Sequence, residues 1–279
     1  MTQTLWLDFV QRALVAVALA APMLGLLSPL VLARRLAFFS AALGQAVLTG
    51  VSLGVLLGEP VDAPWASVLG FSLLCGVALV FVRRRSSLPS DTLVGVLLAF
   101  TLGLGVLLLV VVTKRFNVHQ LEAVMFGSVL TVTRGDLAVL AATLLVTLGG
   151  LGWWHNALLV DALDARTAAA RRLPSAALEY ALVVLLTLVI VASVKVLGAL
   201  MVEAMLLVPA AAGRNVARSV AGLTVASVAV AMVSGVGGVL VSAQLNAPSG
   251  AAIVLLLAAC FVVTLAVGRA KARVSRRKG

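Results

Sequence analysis

Along this chain, continuous apolar runs of roughly twenty residues alternate with short polar breaks, and each run is rich in Leu, Val and Ala. About twenty apolar residues in a helix span a hydrocarbon core of about 30 Å. The runs are too long and too continuous for barrel strands, which alternate apolar and polar positions over short segments. The pattern predicts an all-α, polytopic helical membrane protein. It places crossings at 13–33, 36–57, 65–82, 92–113, 137–153, 176–194, 196–213, 220–243 and 250–268, about nine in all, or eight to nine.

The polar breaks set the topology. Arg34-Arg35 closes the first run, the turn Glu59 to Pro64 carries acids and no base, and Arg83-Arg84-Arg85 closes the third run. Cytoplasmic loops carry excess Lys and Arg, so the N-terminus is expected outside and the C-terminus inside. Of 21 Lys and Arg, sixteen then fall on the cytoplasmic side; Arg12, Lys114, Arg115, Arg134 and Lys195 are the other five. Lys114-Arg115 breaks the alternation. The segment after it has Leu121, Val124, Met125 and Val129 at helical spacing, which predicts a short amphipathic or re-entrant helix at the outer surface. The stretch from His155 to Ser175, polar and alanine-containing, predicts an amphipathic cytoplasmic helix ended by Pro174. The N-terminus shows neither the basic run nor the cleavage site of a removable signal peptide.

Composition confirms the class: 62% of the residues are hydrophobic, only 11% are charged, and mean hydropathy is +1.18. The net charge of +11 does not mark a nucleic-acid binder, because the basic residues lie between apolar runs and not on a polar face. In the tail from 269 to 279, six basic residues are placed to meet anionic lipid headgroups or solvent. Cys75 and Cys260 sit alone in apolar windows and read as packing residues. Gly50, Gly54 and Gly58, and likewise Gly95, Ala99 and Gly103, form small-residue stripes suited to helix contact, while Ser234 to Gly238 offers a flexible point.

Candidate chemistry is sparse. Two histidines, His119 and His155, cannot build a multi-histidine metal site, and His119 with Glu122 reads as a surface pair. Asp91 fits a cap on the fourth helix. No GxxxxGK[ST] loop is present, so this chain does not energise transport by that route, and no nucleophile–base constellation supports an enzyme. Glu203 stands out as the lone charge among the eighteen residues Val196 to Gly213. An ionised carboxylate at that depth costs several kcal/mol facing lipid, so it faces protein or water: either a buried, hydrogen-bonded group or part of a transport path. Pro209 is expected to end or kink that helix, before Arg214 and Arg218.

Four blocks carry a family resemblance: ARRLAFFSAALGQAVLTGVSLG from Ala33, DTLVGVLLAFTLGLGVLLL from Asp91, FGSVLTVTRGDL from Phe126, and VLGALMVEAMLLVPAAAGRNVARS from Val196. They resemble the permease subunits of ABC importers for zinc, manganese and iron, in order over nearly the whole chain. The resemblance implies one permease domain over 1–279, pairing with a second permease copy as homodimer or heterodimer. It also implies two cytosolic ABC ATPase subunits that use the ATP, an extracytoplasmic metal-binding protein, and a bacterial cytoplasmic membrane as location. The chain itself binds no cofactor; a divalent metal is its cargo. Residues 155–175 would form the coupling segment, with Asp161, Asp164, Arg166, Arg171 and Arg172 as contacts to the ATPase. Where the family usually reads GDTLAHA or GDAISHA, this chain reads SAALGQA, so the usual aspartate falls on Ala41 and the usual histidine on Gln45. The expected path residues are therefore Gln45, Ala41 and Glu203, with Glu203 as the candidate metal contact. A metal chelate or other small substrate is the alternative cargo, and a non-transporting scaffold or regulator the alternative role.

Overall fold

The fold was analysed in a computed structural model that describes residues 2–60, 64–113, 132–245 and 248–278. Ten helices are found there and no strand, as expected where backbone polar groups must be satisfied without water. They are α1 (Thr2–Ala33), α2 (Ala37–Leu56), α3 (Trp65–Arg85), α4 (Ser90–Thr113), α5 (Arg134–Leu163), α6 (Ala165–Ala170), α7 (Ser175–Leu197), α8 (Ala199–Arg214), α9 (Val220–Leu245) and α10 (Ser249–Lys278). Eight are long and apolar enough to cross a membrane. The remaining predicted crossing is α8, whose 16 residues rise only about 24 Å. The expected surface helix after Lys114, including His119 and Glu122, lies outside the described residues.

Burial divides the helices into two classes. Most residues of α1, α2 and α7 are buried, whereas α4, α5 and α10 expose much of their length. One group joins α2 to α3, α4 and α7; in the other, α1 packs on α8 and α9, and α10 covers α8 and α9; α2 against α8 connects them, and α5 bridges α1 and α7. Gly50 meets the Val68 backbone of α3, as its stripe predicts, but Gly95 and Gly103 meet nothing within 4 Å. The predicted flexible point in α9 is a packing site instead, with Gly235 against Val17 and Gly238 against Ile253.

Ion pairs tie helix ends that the alternation puts on the same side. On one rim, the end of α1 meets the end of α5 through Arg34 and Asp161, and Arg83 and Arg84 at the end of α3 meet Glu179 of α7 at 3.2 and 3.1 Å. On the other, Lys195 of α7 lies 2.7 Å from Asp136 of α5 and 4.9 Å from the Trp65 ring of α3. Asp136 also closes a capping box with Thr133, which fixes the start of α5.

Three boundaries differ from the sequence pattern. The fifth crossing does not stop at Trp153: α5 runs on to Leu163. Arg134 to Trp153 already covers about 29 Å, and Trp153 is 85% exposed, as an interfacial aromatic should be. The last ten residues of α5 therefore project past the apolar layer, and the polar segment is divided between that projection and the six-residue α6. The second difference is at Gly198, where φ of +83° and ψ of 153° separate α7 from α8. A side chain would be strained in that conformation, so the chain breaks at glycine. Third, Pro209 does not end α8. The helix continues to Arg214 because the neighbouring Ala210 N–H donates to the Ser28 hydroxyl of α1 at 3.0 Å, both groups being buried.

That single bond supports the continuation of α8 past its proline. Ser28→Ala removes this buried hydrogen bond, a cost of about 0.5–1.5 kcal/mol. The variant should unfold at a lower temperature in detergent than the parent protein; an unchanged midpoint would show that the bond contributes little.

Candidate functional site

The three residues singled out for a transport path come together. Ala41, Gly44, Gln45 and Leu48 of α2 and Ala199, Leu200 and Glu203 of α8 line one cavity of ≈ 60 Å³. On α2 the spacing of three and four residues puts all four on one face. On α8 the same rule aligns Ala199 and Leu200 with Glu203. The helices approach closely at this level: a Cβ on Gly44 would stand 3.2 Å from the Ala199 Cβ. Glycine at 44 thus sets the distance across which residues 45 and 203 face a shared space.

The break at Gly198 decides where Glu203 sits. In an uninterrupted 196–213 helix it would lie near the middle; in α8 it lies in the second turn. The residue is half-buried, and its carboxylate has no hydrogen-bond or ion-pair partner among the described residues. Gln45 is also half-buried; its backbone carbonyl accepts the Thr49 hydroxyl at 3.0 Å, and its side-chain amide has no partner among the described residues.

The donor set is one carboxylate and one neutral amide, and Ala41 adds only a methyl group. Among the described residues no three His, Cys, Asp or Glu side chains gather into a metal cage. Such a donor set can meet a small cation at two points. A carboxylate supplies charge, the amide oxygen supplies a dipole, and the remaining coordination positions of a small cation stay with water. His155 lies apart on α5, and Asp91 is exposed in the first turn of α4, where its charge favours the helix N-terminus.

The five residues expected to contact an ATPase divide into two kinds. Arg166, Arg171 and Arg172 are exposed around α6. Asp164 is exposed too but caps α6, accepting backbone N–H bonds from Arg166 at 3.0 Å and Thr167 at 3.1 Å. The Thr167 hydroxyl and these N–H groups hold its carboxyl below the usual range. Asp161 turns inward to Arg34, and their side chains are 7% and 8% exposed. Removing one partner of so buried a pair costs about 3–5 kcal/mol, because the other charge is left alone. Sequence reasoning missed this pair, as 127 residues separate its members. It also missed Gly44, Leu48, Ala199 and Leu200, although helical spacing from Ala41 and Glu203 points to all four.

Comparison with known proteins places the whole chain in a family. The High-affinity zinc uptake system membrane protein ZnuB of Haemophilus influenzae is 28% identical, over 83% of this chain and 87% of its own. The Manganese import system permease protein ScaB of Streptococcus gordonii is 27% identical over 97% and 95%. Among solved structures, PsaBC from Streptococcus pneumoniae in complex with Fab superposes with a TM-score of 0.80 at 26% identity, covering 95% of both chains. The ABC 3 transport family profile matches residues 6–268, nearly the whole chain, and the protein is a member of that family.

Proposed function

We propose that this chain is the permease subunit of an ATP-driven importer that carries a divalent metal ion, zinc or manganese with iron as the third candidate, across a bacterial cytoplasmic membrane. One observation carries the reading. The cavity between α2 and α8 joins Ala41, Gln45 and Glu203, and Glu203 has no partner there among the described residues. A carboxyl group without a protein partner inside an apolar bundle keeps its charge only with water or a cation at hand. Relatives named for zinc and manganese supply the cargo class.

In this proposal the N-terminus is outside and the basic tail is cytoplasmic beside anionic headgroups, as the distribution of Lys and Arg favours. The permease, a single domain over 1–279, pairs with a second copy. It receives the ion from an extracytoplasmic binding protein and works with two cytosolic ATPase subunits docked on the exposed residues of the 155–175 segment, from which Asp161 is turned inward. Arg166, Arg171 and Arg172 are the exposed charges that meet the ATPase, while Asp164 shapes α6 beneath them. Alternating access moves α8 relative to α2, so that Glu203 and Gln45 face each side in turn. The thin donor set supports a second cargo, a metal chelate, whose ligands travel with the ion and ask less of the path.

Uptake of labelled zinc, manganese and iron by cells with and without this chain separates the cargoes. Selective loss of one ion is expected; no loss of any, with loss of a chelate, would move the cargo to the second reading. Glu203→Gln should raise the half-saturating metal concentration about tenfold or more, equivalent to about 1.4 kcal/mol. Ala41→Asp with Gln45→His should tighten metal binding in the same assay, and unchanged kinetics at normal protein levels would remove these positions from the path. Reversing Arg166, Arg171 and Arg172 to Glu should abolish copurification of the ATPase; undiminished copurification would place its docking site elsewhere.

A further inference from the structure

Between the docking segment and the cavity lies a connection that the proposed function leaves unassigned. Asp161 belongs to the last turn of α5, three residues before Asp164 caps α6, and α6 packs on α5. Its partner Arg34 stands in the three-residue link from α1 to α2. That link has little slack. Arg34 and Arg35 N–H groups donate to Leu30 and Leu32, Leu36 N–H donates to Val31, and Arg35 takes a left-handed φ of 56° to close the turn. Phe39 N–H then donates to Leu36, so α2 starts directly from the link, and the cavity face of α2 begins at Ala41.

The pair is also an expensive way to hold two helices together. Both charges are withdrawn from water, and the Arg34 Nε is buried without a hydrogen-bond partner among the described residues. An apolar pair of similar volume would join α1 to α5 at least as stably. What an ion pair adds is direction: a guanidinium held by a carboxylate fixes both position and orientation, where a greasy contact can slide.

We propose that Arg34 and Asp161 are positioning residues, a rigid latch that transmits movement of the 155–175 segment to the α1–α2 link and so to the Gln45 face of the cavity. This rests on the importer reading above. The latch touches neither cargo nor nucleotide. Its loss therefore separates ATP hydrolysis from transport, whereas loss of a docking contact stops both.

The test uses the full permease copurified with its ATPase subunits and reconstituted in vesicles with the delivery protein. Uptake of labelled zinc and manganese is measured alongside ATP hydrolysis. Arg34→Gln and Asp161→Asn should each keep the ATPase bound and hydrolysing near the parent rate while metal moved per ATP falls about tenfold. The exchanged pair, Arg34→Asp with Asp161→Arg, should restore much of that ratio. If a single variant fails to assemble, the exchanged pair decides alone: assembled and coupled supports the latch, assembled and uncoupled overturns it. Uptake and hydrolysis falling in equal proportion, or an unchanged ratio in the single variants, would also overturn it. Absence of ATP-dependent uptake by the parent protein would instead overturn the importer reading beneath it.

Discussion

A carboxyl group set inside an apolar helix bundle is the constraint from which the rest of the site follows. Glu203 is neither neutralised by a base nor held by a donor among the described residues, so it can carry charge only where its cavity admits water or a cation. Three features make that space. Gly198 breaks the chain and starts α8 afresh, which turns Glu203 toward α2. Gly44 lets the two helices close to contact distance one turn away. Ala41 and Gln45 then present a small and a neutral side chain where larger or charged groups would fill or neutralise the gap.

The surrounding helices hold this arrangement by ion pairs at both rims and by neutral hydrogen bonds between them. Lys195 with Asp136 and Trp65 pins the end of α7 three residues before the Gly198 break. At the opposite rim Arg34 with Asp161, and Glu179 with Arg83 and Arg84, fasten the ends of α1, α3, α5 and α7. Between the rims, Ser28 receives the N–H beside Pro209 and lets α8 continue.

Much of this was legible in the sequence, for reasons that differ from residue to residue. The crossings follow from run length, because twenty apolar residues have no other stable place. Glu203 was visible from its isolation, and Ala41 and Gln45 from a motif whose usual ligands they replace. The projection of α5 past Trp154 was not visible, since His155 to Leu163 is polar enough to look like a separate segment but continues the helix without a cap or a proline. The break at Gly198 was equally hidden: one glycine in an apolar run signals helix packing as readily as a positive φ. Arg34 read as a topology marker, and only folding brings it to Asp161, another residue that sequence assigned to the surface.

The most direct measurement is the position of a bound ion in the assembled transporter, located by anomalous scattering after equilibration with zinc or manganese. A peak in the α2–α8 cavity within coordination distance of the Glu203 carboxylate is the result predicted here. An ion bound only elsewhere along the permease, with that cavity empty, would contradict the assignment of Glu203 to the transport path.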